Sequence, residues 1–260
     1  MKTKRLFFGL EVEAPWPLHY PRGRILAEED RHITLAFLGE TDWEELEKKL
    51  DLIPGLPFAV GPAGIATKLL FLPERTPRVV SLDVHWLTQE NALLRFQKTL
   101  ADFLKIEDKR PFLSHLTVAR APFHPQEWEK AFEMLPVIVK GFHLYESIGN
   151  LRYPSLWSKA LLPAFEEFEH TADIAFHIRG QTLEELYLHA AVALGFKYPP
   201  LLAYLKPHTF ADLSDVVRAL GALVALTDQE KGCPFKAVSY HGEVRQDASG
   251  TLHWEMIVDV

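Results

Sequence analysis

The chain has 260 residues, 48% of them hydrophobic and 12% aromatic, a composition that excludes a disordered polymer and supports one large core or two moderate ones. One cysteine, Cys233, excludes an internal disulfide framework and a cysteine-based zinc site, and no stretch reaches the roughly eighteen apolar residues of a membrane span. The formal charge of −7 falls in the second part: residues 1–163 hold 21 Lys+Arg and 21 Asp+Glu, whereas residues 164–260 hold 7 and 14. A broad nucleic-acid-coating surface is thereby excluded, though the neutral part can still grip a single phosphate. The opening MKTKRLFFGLEVEAPW has too brief an apolar run for a secretory signal, so a cytoplasmic protein without membrane contact is expected.

In chain order, RLFFGLEV and HITLAFLG read as strands, the second ended by Gly39, and DWEELEKKLDLI as a helix capped by Thr41. PFAVGPAGIATKLLF and RVVSLDVHW are strands, followed by the amphipathic helix TQENALLRFQKTLADFLKI with Thr88 as its cap. SHLTVAR is a strand, HPQEWEKAFEML a helix with Pro125 in its first turn, and VIVKGFHLYESIGN and LWSKALL are strands. LLPAFEEFEH is the boundary, dividing the chain into 1–163 and 164–260. Beyond it TLEELYLHAAVALGF, capped by Thr182, and LSDVVRALGALVALT are helices, and KAVSYHGEV pairs with TLHWEMIVDV as a hairpin. The fold class expected is α+β: two similar lobes, then a smaller α+β unit.

His32-Ile33-Thr34-Leu35 recurs 83 residues later as His115-Leu116-Thr117-Val118, at the same place in each lobe. Alternation along a strand puts His and Thr on one face and the apolar pair on the other. Singly such a pattern marks a half-exposed strand face; duplicated with its lobe it implies two half-sites about a pseudo-two-fold axis, facing one cleft. In-line displacement at phosphorus needs a base on the entering oxygen and an acid on the leaving one, and two opposed imidazoles supply both. The hydroxyls of Thr34 and Thr117 can donate to the non-bridging oxygens, and the scheme needs no metal or other cofactor. Arg120 can steady the phosphate or be a solvated strand end, and Tyr153 can stack on a base, though a core or rim position is the commoner use of such a tyrosine.

RLFFGLEV, RHITLAFLGE, SHLTVAR and LYESIGNLRYPSLWSKALL resemble the 2H phosphoesterases, specifically the RNA 2′,3′-cyclic phosphodiesterases also called 2′-5′ RNA ligases, over about residues 4–162. The resemblance implies hydrolysis of a terminal 2′,3′-cyclic phosphate to a 2′-phosphate, with His32, Thr34, His115 and Thr117 lining the site. It implies that His32 protonates the leaving 3′ oxygen and His115 activates water. RNA ends bearing a cyclic phosphate are the implied partner, and reverse 2′-5′ ligation is the implied back reaction. The sequence departs from the family where EAPWPLHYPRGRILAEEDR, rich in proline, stands in place of a helix. Two other functions fit the same residues: an accessory protein that only binds RNA ends, and a phosphoesterase of small cyclic nucleotides.

In the acidic part, EFEHTADIAFHIRGQTLEELYLHAAVAL and KAVSYHGEVRQDASGTLHWEMIVDV resemble archease over about residues 165–260. Asp173, Asp259 and the carboxyl group of Val260 are hard oxygen ligands, and the resemblance implies that they hold Ca²⁺, Mg²⁺ or Mn²⁺. His170, Lys236 and His241 occupy matching motif positions. The implied partner is a GTP-dependent RNA ligase, and the fusion implies a role in tRNA splicing or RNA repair. This part is short for an archease, because strands expected between its second helix and KAVSYH are missing.

Overall fold

Alternating apolar residues make β1 (Thr3–Glu13), β3 (His32–Asp42), β4 (Ala63–Leu72), β5 (Val79–Trp86), β6 (His115–Arg120), β7 (Leu135–Glu146) and β8 (Ser155–Ala160), with β2 (Arg24–Ile25) a short addition beside β6. The computed structural model describes residues 3–106, 111–170 and 173–260, with main chain alone at 241 and 242. All named pairings of this first sheet are antiparallel, in the order β1-β3-β6-β5-β4-β7-β8, and β7 also returns to β1. The first lobe is β1, β3 and the end of β7; the second is β4, β5, β6 and the start of β7. They meet where Ile33 of β3 pairs with Leu116 of β6, both fully buried. The two-lobed antiparallel arrangement matches the fold expected from the repeat.

The core side of this sheet is covered by α1 (Trp43–Glu47), α2 (Glu90–Phe103) and α3 (Pro125–Ala131), which supply Leu46, then Leu93, Phe96 and Leu100, then Trp128. No α-helix occupies the proline-rich stretch before β3. There Arg31, 4% exposed, lies over the rings of Trp16 and Tyr20 and donates to Leu26 O at 3.2 and 3.0 Å. A cation–π clasp thus organises a segment that prolines keep out of a helix.

Three local expectations are corrected. Asp42, not Thr41, caps α1, accepting from Glu44 N at 3.0 Å, because the Thr41 hydroxyl donates back to Gly39 O. Thr88 does not cap α2, whose cap position is Gln89; the Thr88 hydroxyl accepts instead from Ala63 N at 3.0 Å. Gly39 does not end its strand: with φ +71 it sits at an irregularity where Leu6 pairs with Gly39 and Phe7 with Phe37, and β3 continues to Asp42.

The second sheet, in order β11-β12-β10-β9, contains β9 (Phe165–Phe168), β10 (Ile174–Gly180), β11 (Ala237–Gln246) and β12 (Leu252–Asp259). Its helices are α4 (Leu183–Lys197), capped by the Thr182 hydroxyl, and α5 (Leu213–Lys231). From Leu186 to Gly195, α4 buries almost every side chain, as a helix apolar all round must. One side packs on β10; another packs on β4 and β7, where Val60, Ala63, Ile65 and Ile138 join the cluster around α4 and α5. At this junction His189 of α4 is fully buried; Nδ1 donates to Arg179 O, so Nε2 is the acceptor of the Thr88 hydroxyl at 3.1 Å.

Candidate functional site

The pairing of Ile33 with Leu116 builds the site. Because the strands are antiparallel, this register sets His32 opposite Thr117 and His115 opposite Thr34, all four turned away from the buried pair. The pseudo-two-fold axis passes between Ile33 and Leu116. Each histidine donates from Nδ1 to the main-chain carbonyl two residues earlier, His32 to Asp30 O at 2.8 Å and His115 to Leu113 O at 2.9 Å. A carbonyl only accepts, so in both neutral rings Nε2 carries the lone pair.

The environments of the two rings differ. His32 lies among Phe7, Tyr145 and Tyr153, with ring centroids at 4.6, 5.2 and 4.9 Å. Burial pushes its imidazole down to about 4, against the opposing pull of the Asp30 carbonyl, and the positive charges of His115 and Arg120 add to the lowering. Burial likewise pushes the Tyr145 hydroxyl up. The hydroxyls differ as well: Thr117 Oγ1 lies 3.2 Å from Oγ of fully buried Ser81, whereas the residue opposite Thr34 is Gly9. Gly9 is needed there, since a Cβ would stand 2.9 Å from Ile33 O.

Arg120 reaches this face through a bulge. Ser81 pairs with Thr117 and Val80 with Ala119, so Val118 is an extra residue and the alternation shifts by one. The same insertion follows the first motif, where Gly9 pairs with Thr34 and Phe8 with Ala36, making Leu35 extra. Arg120 and Phe37 are therefore symmetry equivalents. Arg120 Nε is buried with no hydrogen-bond partner among the described residues, and Phe37 is 51% exposed beneath the Arg5 guanidinium at 5.3 Å. Sequence reading missed Phe37; its signal was its place five residues after His32, matching Arg120 after His115.

Further along the face, His143 Nε2 lies 3.0 Å from Glu11 Oε2 and Nδ1 lies 2.9 Å from Ser155 Oγ. The connectivity resembles a nucleophile triad. Ser155 Oγ, however, also lies 3.0 Å from Trp157 O, a main-chain acceptor that competes with His143 Nδ1 for its single proton.

Of the residues proposed for a metal, Asp173 and Asp259 come to neighbouring strand ends, since Ile174 pairs with Val258. Asp173 Oδ2 lies 3.6 Å from His170 Nδ1, Lys236 Nζ lies 4.0 Å from Asp259 Oδ1, and Lys236 also donates to Val260 O. The oxygens suit a hard cation in type, but the Lys236 ammonium holds two of the three groups. Among the described residues no three His, Cys, Asp or Glu side chains form a metal-ligand cluster, and the His241 side chain lies outside them. No helix among the described residues is long and apolar enough to cross a membrane.

Residues 165–198 match the Archease protein family model. The RNA 2′,3′-cyclic phosphodiesterase of Thermotoga maritima is 29% identical over 141 residues, spanning 47% of this chain and 69% of that protein. The enzyme of the same name from Escherichia coli is 31% identical over 137 residues, spanning 46% of this chain and 73% of its own length. Among solved structures, E. coli LigT complexed with 3′-AMP is 27% identical and covers 62% of this chain and 99% of its own, with a TM-score of 0.42.

Proposed function

The chain belongs to the RNA 2′,3′-cyclic phosphodiesterase family, and from that premise we propose that its paired motifs hydrolyse RNA ends bearing a 2′,3′-cyclic phosphate to 2′-phosphates without a metal. One observation carries the proposal: two imidazoles on strands joined at Ile33 and Leu116, each with Nδ1 committed to a carbonyl and Nε2 left for chemistry. Water attacks phosphorus and loses a proton to one Nε2; the bond from phosphorus to the 3′ oxygen breaks, and that oxygen takes a proton from the other. Thr34 and Thr117 donate to the non-bridging oxygens, and Ser81 fixes the direction of the Thr117 hydroxyl. The orphaned Nε of Arg120 supplies a donor for the phosphate, and Phe37 and Tyr153 supply faces for the terminal base.

With His32 as the proton donor, the bound phosphate anion must raise the low proton affinity that burial imposes on its ring. The positive charge of Arg120 beside it is then offset by the substrate's negative charge. The family resemblance supports this order, with His115 as the base.

The match at residues 165–198 supports a helper role for the second part, toward a GTP-dependent RNA ligase in RNA repair or tRNA splicing. Asp173, Asp259 and Val260 would hold a divalent cation there, once Lys236 swings away. Calorimetric titration with Ca²⁺, Mg²⁺ and Mn²⁺ tests this, with uptake expected in the native chain and lost in Asp173→Ala.

The decisive experiment incubates the protein with a short RNA ending in a 2′,3′-cyclic phosphate, in excess EDTA, and identifies the product. A 2′-phosphate end is expected; an unchanged end, or a 3′-phosphate, removes the proposal.

A further inference from the structure

Asp30 is a carboxylate only 3% exposed, which a folded chain tolerates where it is paired. Its carbonyl accepts a hydrogen bond from His32 Nδ1–H, and its side chain reaches the other way. Oδ1 accepts the Tyr153 main-chain N–H at 2.6 Å, and Oδ2 lies 3.1 Å from Arg152 Nε. Tyr153 then stands edge-on to the His32 ring at 4.9 Å and to Phe7 at 5.6 Å. A single residue therefore holds both the imidazole and the turn that walls it.

That turn needs holding. Gly149, Asn150 and Leu151 have φ of 89, 50 and 64, so two consecutive non-glycine residues occupy the left-handed region. Its own main-chain bonds are Arg152 N to Gly149 O at 3.0 Å and Ile148 N to Arg152 O at 3.3 Å, and Ser147 N reaches Arg5 O at 2.8 Å. None of these fixes Tyr153. The Asp30 carboxylate, with the exposed Arg152–Glu29 pair at 4.0 Å beside it, ties that end of the turn to the segment that leads into the first motif.

We propose that Asp30 is a positioning residue for the phosphodiester chemistry, its carboxylate clamping the 147–153 turn so that Tyr153 shuts water away from His32 and shapes the seat of the terminal nucleoside. This rests on the phosphodiesterase reading of the same site. The charged and titratable groups around His32 are Asp30 before β3, His115 and Arg120 on β6, Tyr145 on β7, Glu11 on β1 opposite it, and Tyr153 on the turn. Asp30 is the one among them whose side chain bonds to the turn.

The test compares Asp30→Ala, Asp30→Asn and Tyr153→Ala in the full chain, by KM and kcat on the cyclic-phosphate RNA and by NMR titration of the His32 and His115 rings. Asp30→Ala is expected to raise KM about ten- to hundredfold with a smaller change in kcat, and to move the His32 titration upward as water enters, leaving that of His115 in place. Asp30→Asn keeps an oxygen for the Tyr153 N–H and is expected to restore most of both. Tyr153→Ala removes the wall while sparing the buried carboxylate, and should reproduce the His32 shift even where Asp30→Ala folds poorly. Wild-type His32 titration in Tyr153→Ala, or wild-type KM in a folded Asp30→Ala chain, overturns the proposal. If the native protein turns over no cyclic-phosphate RNA, the function falls, while the NMR comparison still decides the clamp.

Discussion

At the residue scale, two histidines of the same motif differ in kind. His32 is walled by three aromatic rings and held down to about 4, so it is expected to stay neutral from pH 5 to 8 in the free protein. Adding a nucleoside 2′-phosphate should raise its titration midpoint, read by NMR of the ring. Replacing either His32 or His115 by alanine should lower turnover by about 10²–10⁴-fold while leaving the circular dichroism spectrum intact, the usual share of a general acid or base. These four motif residues were legible in the sequence, because a duplicated pattern survives without knowledge of distance. Asp30 and Ser81 were not, because their roles come from partners 123 and 36 positions away, whereas Phe37 carried a signal only in its spacing from His32, which needed the second copy of the motif to be read.

At the element scale, the bulges at Leu35 and Val118 do what simple alternation denies. Strict period two sends Arg120 to the core side, opposite His115 and Thr117; the extra residue returns it to the face that carries them. Arg120→Ala should therefore weaken substrate binding, seen as a higher KM, whereas Arg120→Lys should recover part of it. The joint between lobes is equally local. Ile33→Ala leaves a cavity where β3 meets β6 and should cost about 2–5 kcal/mol in denaturant unfolding, with turnover falling as the two half-sites lose register.

At the scale of the whole molecule, the two sheets share an apolar boundary. Ala63, Ile65 and Ile138 of the first sheet, with Val60 just before β4, are covered by α4 and α5, and His189 bonds across the junction to Thr88. A fragment of residues 1–163 exposes those side chains and should associate or melt at lower temperature than the full chain, read by light scattering and calorimetry. Burial pushes His189 down to about 4, and an unfolded histidine titrates near 6.5. Between those values the unfolded chain binds more protons, so stability is full above about pH 6.5 and is lost, by on the order of a few kcal/mol, as pH falls toward 4. His189→Gln should flatten that slope in urea unfolding measured across the window.

By itself the sequence determined the strand and helix types, the two-lobe repeat and the His-x-Thr pairs, since periodicity, caps and duplicated motifs are local properties of the chain. Tertiary structure alone decided which strands meet, that Ile33 pairs with Leu116, that two bulges turn Arg120 and Phe37 onto the site, and that Asp30 and His189 are buried among partners far along the chain. The physical reason is that register, burial and long-range hydrogen bonding are settled by the surfaces that elements bury against one another, which no window of neighbouring residues contains.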